Sequence, residues 1–437
     1  MSLPAMHFLY SALLAVALIL SLPYWLWQWA RHGKHGEGLG ERLGRVPRRL
    51  LPAFAGRTIW IHAVSVGEVM AIKPLAGELA RRFPQYPVVI STTTATGQKL
   101  ARTTFGEDHV FYFPLDFAFA IRPYLRRLQP RLVVVAETEL WPNFLRLAAQ
   151  SGAAVAIVNA RISDRSFSGY QRFRGPLSRV LGHVDLFLTQ TEADARRLCG
   201  IGAPSNRVEV GGNLKFDAPL PAPTPIVASL RGAFRLSGAG PIIVCGSTVE
   251  GEEPLLLRAL ENVLVSHPRA VMLLAPRHPE RFTQVAQLLE SLGIRFWRRS
   301  LWSGEALAGG VLLIDSIGEL ASLYALADVA FVGGSLVPRG GHNIIEPAQM
   351  GIPIIVGNHT ENFRDIIALF ETRDAIRIVG PAEFPLTLIE LLNSEESRAA
   401  LGRRGAEVIR TQTGATERTL DALTGLLRNE PPGKAPV

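Results

Sequence analysis

Phe331-Val-Gly-Gly-Ser-Leu-Val-Pro-Arg-Gly-Gly-His-Asn-Ile-Ile-Glu-Pro347 decides how this chain is expected to fold. The apolar run Val329 to Val332 predicts a buried strand that breaks at Gly333 and Gly334. A second glycine pair follows at Gly340 and Gly341, and then His342, Asn343 and Glu346 open a helix, with Asn343 and Glu346 three apart on one face. Glycines let the backbone turn sharply and let a ligand come close. A helix start offers free N–H groups and the positive end of a dipole, a seat for phosphate. A carboxylate one turn in can accept both hydroxyls of a ribose. With Ser335 and Arg339 in the same loop, the pattern reads as a nucleotide site rather than as a glycine-rich turn with a capping asparagine.

Working outward, short apolar runs alternate with amphipathic stretches on both sides of this loop. Strands are expected at 242–245, 271–275, 311–314, 329–332 and 352–356, and in an earlier set at 59–63, 88–92, 132–136, 154–158 and 186–189. Strand and helix alternating at this spacing predict α/β units with parallel sheets covered on both faces. Between the sets, Asp217 to Pro225 has proline at every second position near its end, an extended connector. The expected organisation is a first Rossmann-like domain at 57–218, a linker at 219–234 and a second domain at 235–404. The C-terminal segment 405–437 is expected to pack back on the first domain.

The chain has 437 residues, too many for one ordinary core. Its net charge of +8 favours anionic partners. Only Cys199 and Cys245 are present, without metal-ligand spacing, which argues against a disulfide framework. Residues 8–30 are nearly all apolar, and at about 1.5 Å per residue they approach the roughly 30 Å of a bilayer core. Tyr24, Trp25, Trp27 and Trp29 sit at the far end, where aromatic belts lie. No Lys or Arg precedes the segment, whereas Arg31, Lys34, Arg42, Arg45, Arg48 and Arg49 follow it. Residues 1–31 therefore read as a membrane anchor with the rest of the chain on the cytoplasmic side. An interfacial helix is the alternative, because Pro23 can bend it. Residues 32–56, including Gly40-Glu-Arg-Leu-Gly44, read as a basic, solvated juxtamembrane linker.

In open α/β sheets, ligands bind beyond the carboxyl ends of the strands. Past 59–63 comes Glu68 at a helix start, where the dipole favours an ionised carboxylate ready to take a proton. An ordinary first-turn glutamate is the competing reading. Past 132–136 comes Glu137-Thr-Glu-Leu-Trp-Pro142, two acids at a strand end that are costly unless solvated, paired or used. Lys215 lies just before the linker between Leu214 and Phe216, which suggests partial burial. In the second set, Pro276 and Arg277 follow a strand, and a guanidinium fork suits phosphate or carboxylate. Ile317, Gly318 and Glu319 can bring amides and a carboxylate toward a nucleotide. No Ser-His-Asp set, Gly-x-x-x-x-Gly-Lys loop or metal-binding histidine pair stands in the sequence. Together these point to a nucleotide on the second domain and an acceptor on the first, facing one cleft.

Several stretches then look familiar. His62-Ala-Val-Ser-Val-Gly-Glu68, Glu137 to Pro142, Asn159-Ala-Arg-Ile-Ser163, Gly212-Asn-Leu-Lys-Phe-Asp217, Pro276-Arg-His-Pro-Glu-Arg281 and the opening stretch resemble, in order, the 3-deoxy-D-manno-octulosonic acid (Kdo) transferases of lipopolysaccharide synthesis. The resemblance runs from the N-terminal segment to about residue 425. It implies a GT-B glycosyltransferase at the inner face of the bacterial inner membrane, with CMP-Kdo as donor substrate and the lipid A precursor lipid IVA as acceptor. No cofactor, metal or nucleic acid is implied. Carried over by motif, Glu68 is the general base, and Glu137 and Lys215 stabilise the transition state. Pro276, Arg277, Ile317 to Glu319, and Asn343, Ile344, Ile345 and Glu346 bind CMP. Where many relatives read Ser-Thr-His, this chain has Ser247-Thr248-Val249. A UDP-sugar enzyme of the same architecture and an inactive sugar-nucleotide binding protein are the rival readings.

Overall fold

Runs of Val, Ile and Leu with no polar alternation need cover on both faces, and here they form two wholly parallel sheets of seven strands each. The structure, a computed structural model, describes residues 3–32, 38–50, 57–220 and 224–428. It divides into one unit of Met1–Ala218 with Thr413–Val437 and a second of Pro219–Gln412.

The first sheet comprises β1 (Thr58–His62), β2 (Val88–Thr92), β3 (Val110–Tyr112), β4 (Pro130–Ala136), β5 (Ala154–Ala160), β6 (Leu186–Thr189) and β7 (Val208–Val210). Their order is β3-β2-β1-β4-β5-β6-β7, so the direction of winding reverses between β1 and β4. That reversal opens a crevice at the strands' carboxyl ends. One face of the sheet packs Trp60 among Phe111, Phe113, Tyr124 and Phe144. The other face is covered by the helices Val66–Arg82 and Ala415–Arg428.

The second sheet comprises β8 (Ile242–Thr248), β9 (Val271–Pro276), β10 (Phe296–Arg298), β11 (Gly310–Leu313), β12 (Val329–Val332), β13 (Ile354–Val356) and β14 (Arg377–Ile378). The order is β10-β11-β9-β8-β12-β13-β14, which puts its reversal between β8 and β12. The helix Pro225–Ser237 begins inside the stretch expected to be linker. It buries Ile226, Val227, Leu230 and Phe234 against this sheet, and residues 221–223 lie outside the described ones.

Four strands escape the sequence reading: β3, β7, β10 and β14. They are the four edges of the two sheets, each only two or three residues long. An edge strand is paired on one side only, so it needs no long apolar run to hold it.

The edge at β3 also corrects the reading of Gly40 to Gly44 as solvated linker. Glu41 Oε2 accepts the Tyr112 N–H at 2.8 Å, and Glu41 Oε1 pairs with Arg49 Nη2 at 2.8 Å. Arg42 donates to the Thr93 carbonyl and lies 4.6 Å from the Tyr112 ring centre. The segment covers a sheet edge whose free amides would otherwise invite pairing with another chain.

The expected membrane-crossing anchor is corrected as well. A helix does form over Leu3–His32, with Pro23 inside it. Among the described residues, however, no helix is long and apolar enough to cross a membrane. Its early turns spend polar groups on the first unit: Ser11 Oγ accepts from Asn143 Nδ2 at 3.0 Å, and Tyr10 bonds the Asp116 carboxylate.

The C-terminal helical stretch is broken at Gly414, where φ is +93°. The helix Glu395–Gln412 stays with the second unit, and Ala415–Arg428 lies in the first. Asp217 holds that second helix by accepting the Gly414 N–H at 2.7 Å and the Thr416 N–H. Losing such a cap costs about 1–2 kcal/mol. Asp217→Ala is therefore expected to speed amide hydrogen exchange at 414–420 by about tenfold, while exchange in the second unit stays unchanged.

Candidate active site

Two half-sites form, each where its sheet reverses. In the first unit, β1 ends at His62 and the chain turns through Ala63 to Ser65 into the helix Val66–Arg82. Ser65 is the N-cap, and Glu68 reaches back across it. Glu68 Oε2 accepts the Val64 N–H at 2.8 Å, and Oε1 accepts the Ser65 hydroxyl at 2.9 Å. This reciprocal capping pattern fixes the carboxylate at the mouth of the crevice. Glu68 is only 7% exposed. Burial pushes its carboxyl up to about 7, with the charges of Glu137 and Glu139 adding to the rise and the Val64 amide and Ser65 hydroxyl working against it.

Across the reversal, Glu137 follows β4 directly in the left-handed region, with φ at +56°. Such a conformation is sparsely populated for a residue with a side chain, and such residues cluster at functional sites. Its N–H is anchored to the Val158 carbonyl at 2.9 Å, and its Oε1 lies 3.0 Å from Lys215 Nζ. Lys215 is aimed by two asparagines whose part the sequence reading missed. Asn159, also at φ +56°, accepts the Leu214 N–H through Oδ1 at 3.0 Å, and Asn213 Oδ1 accepts the Lys215 N–H at 3.0 Å. Leu214 and Phe216 are buried on either side, so the ammonium stands out of an apolar turn toward Glu137. The nearby Glu139 is also raised, by burial and then by Glu137. Glu68, Glu137 and Lys215 thus come together, although they lie far apart in sequence.

In the second unit, the glycine-rich loop after β12 is organised from within. Glu252, wholly buried, accepts the N–H groups of Gly334 at 2.8 Å, Ser335 and Leu336 at 2.9 Å each, and Val249 at 3.0 Å. The amides of this glycine turn are therefore already used. The position before β12's crevice partner is strained too: Ser247, near the end of β8, has φ +57°. A side chain on Gly333 would come within 2.5 Å of the Ser247 carbonyl oxygen and 2.8 Å of Glu252, which explains the glycine.

Arg277 follows β9, its N–H bonded to the Thr248 carbonyl at 2.9 Å, and Pro276 ends the strand opposite Thr248. The Arg277 charge acts on both His342 and Glu346. Burial, then Arg277 and His278, push His342 down to about 4, so its ring is neutral beside that cation. Burial raises Glu346, whereas Asn343 and Arg277 oppose that rise. Asn343 Nδ2 donates to Glu346 Oε1 at 3.3 Å, and Asn343 Oδ1 accepts the Ile345 N–H at 3.1 Å. The helix that opens here is short, Ile345–Gln349. Ile344 and Ile345 have their side chains in the core, so they offer a ligand main chain alone.

Gly318 turns the chain at φ +90°, and Ile317 is exposed. Glu319 is committed to Arg299, 2.8 Å away, and to the Ser316 hydroxyl. This segment offers a ligand an apolar side chain and a tight glycine turn, with its carboxylate already paired.

A family model described as 3-Deoxy-D-manno-octulosonic-acid transferase (kdotransferase) matches residues 37–218. The 3-deoxy-D-manno-octulosonic acid transferase of Haemophilus influenzae is 36% identical over 424 residues, covering 95% of this chain and 98% of its own. That of Bordetella pertussis is 38% identical over 423 residues, covering 91% and 95%. Among solved structures, UDP-GlcNAc 2-epimerase from Neisseria meningitidis bound to UDP-GlcNAc superposes with a TM-score of 0.56 at 14% identity, over 85% of this chain and all of that one. The last is a likeness of fold alone.

Glu252→Gln keeps the size of the side chain but turns an NH2 toward amides that need acceptors. Each charged hydrogen bond lost in such a place costs about 1.5–3 kcal/mol. The variant is expected to lower the melting temperature of the second unit by several degrees and to leave the first unit's transition in place, as read by differential scanning calorimetry.

Proposed function

The chain belongs to the 3-deoxy-D-manno-octulosonic acid transferase family, a glycosyltransferase of lipopolysaccharide core biosynthesis, and from that premise we propose how its two half-sites carry out Kdo transfer. The donor is CMP-Kdo, seated on the second unit. Arg277 neutralises the phosphate of the cytidylate, and Asn343 with Glu346 holds the ribose hydroxyls. The acceptor is lipid IVA on the first unit. Transfer requires these two half-sites to meet around one donor and one acceptor.

Glu68 takes the proton from an acceptor hydroxyl while that oxygen forms its bond to the anomeric carbon of Kdo. The bond from that carbon to the phosphate oxygen breaks, CMP leaves with the electron pair, and the anomeric centre inverts. Positive charge builds on the sugar carbon in the transition state. Glu137, paired with Lys215 and held by its backbone, is fixed in advance, so it stabilises that charge without reorganising. Lys215 pairs with Glu137 at 3.0 Å and holds its carboxylate in place.

The observation that carries this reading is the buried Glu68 carboxylate at the crevice of the first sheet. Its pKa near 7 suits a base at neutral pH, since a general base works best when its pKa lies near the working pH. The N-terminal helix, with Phe8, Leu13, Ile19 and Leu20 exposed along one side, supports work at a membrane surface. The net charge of +8 suits the anionic cytoplasmic leaflet of the inner membrane and a phosphorylated acceptor.

A product assay by mass spectrometry with CMP-Kdo and lipid IVA tests the whole reading, and Kdo-extended lipid is the expected result. Glu68 must be ionised to act, so kcat/KM is expected to rise with pH up to about 7 and level off above it. Glu68→Gln should lose at least about a hundredfold in kcat while CMP binding by calorimetry stays as in the parent. Undiminished turnover by that variant would remove Glu68 from the mechanism. Lys215→Met strips Glu137 of its partner and is expected to lower kcat by about a hundredfold with little change in the KM for donor.

A further inference from the structure

The N-terminal helix meets the first unit at a cavity of about 380 Å³, lined by His7, Ser11, Asn143, Arg146 and His183, with Phe8 at its rim. His7 is only 5% exposed, and neither ring nitrogen has a hydrogen-bond partner among the described residues. Its ring centre lies 6.1 Å from that of His183. Arg146 is under-used in the same way. Its Nε is buried without a hydrogen-bond partner among the described residues, and its other nitrogens donate to neutral oxygens, Gln150 Oε1 at 3.2 Å and Asn143 Oδ1 at 3.4 Å. Arg122 adds a second cation nearby. The acid of the neighbourhood, Asp116, is occupied by the N–H groups of Asn143 and Phe144 and by the Tyr10 hydroxyl.

Buried donors without partners are costly. Here a histidine and an arginine with such groups line one cavity, which suits an anion with more than one acceptor oxygen. A guanidinium fork matches a phosphate in particular. The rim indicates the source of that phosphate. Phe8 is 78% exposed, and Leu9, Leu13, Val16, Ile19 and Leu20 continue its apolar face along the helix. A soluble phosphate has no use for such a face, whereas a phospholipid carries its phosphate directly beside acyl chains.

We propose that this cavity binds the phosphate of an anionic membrane phospholipid, with the acyl chains lying against Phe8, Leu9 and Leu13. The inference rests on the reading that the chain works at a membrane surface, and it adds to it a defined headgroup site lined by none of Glu68, Glu137 or Lys215. The site ties the membrane contact to the first unit through Arg146, so that lipid binding and helix docking support each other.

Co-sedimentation of the full chain with phosphatidylcholine vesicles, with or without roughly one-third phosphatidylglycerol, tests it. Arg146→Gln and His7→Leu are each expected to lose about fivefold in partition onto the phosphatidylglycerol vesicles and to keep parental binding to the neutral ones. Arg403→Gln, which removes one exposed charge elsewhere, should behave as the parent on both. If Arg146→Gln and His7→Leu also match the parent on both, the headgroup site is refuted while the membrane reading stands. Equal loss on both vesicle types would mean that these residues only dock the helix, and it would also refute the site. Inorganic phosphate that protects the lipid-free chain against heat as strongly as the vesicles do would assign the cavity to a soluble anion instead. No binding of the parent to either vesicle would overturn the membrane reading itself.

Discussion

Everything in the first half-site depends on the cost of holding a carboxylate out of water. Glu68 is buried where two further acids, Glu137 and Glu139, lie close enough to raise it further. Two donors, the Val64 amide and the Ser65 hydroxyl, keep it in place. The same side chain therefore caps a helix and is kept near its midpoint of ionisation. A solvated first-turn glutamate would have the cap without the raised affinity for protons. The crevice between β1 and β4 is what makes the difference, because it brings the end of one strand against the end of another.

The second half-site solves a related problem in the opposite way. Glu252 is buried as deeply as a side chain can be, yet its four amide donors tie it into the glycine loop. It shapes Gly333 to Leu336 from behind, while Arg277 stays exposed beside His342 and Glu346. His342 stays neutral beside that cation, and Asn343 fixes Glu346. The division of labour is physical. Amides that face inward build the loop, and side chains that face outward are left for a ligand.

Much of this was legible in the sequence, and the reasons are specific. Long apolar runs revealed the central strands because both faces of a parallel strand are covered. The edges β3, β7, β10 and β14 left no comparable trace. The acids at Glu137 and Glu139 stood out because charge at a strand end needs a reason, and Lys215 supplied it. Asn159 and Asn213 gave no signal, since an asparagine that accepts one amide looks like any turn residue. The apolar N-terminal stretch suggested a span. Composition alone could not show that Tyr10 and Ser11 would be spent on bonds to the first unit. The family resemblance, carried by motifs spread over the whole chain, is borne out by relatives that match nearly their full length.

Direct titration of the Glu68 carboxyl, by carbon-13 NMR of the side chain with Glu68→Gln to assign the resonance, tests the central claim most closely. The account predicts a midpoint near 7, falling when Glu137 is replaced by glutamine. A midpoint in the ordinary range around 4.3 for a solvent-exposed glutamate would contradict it.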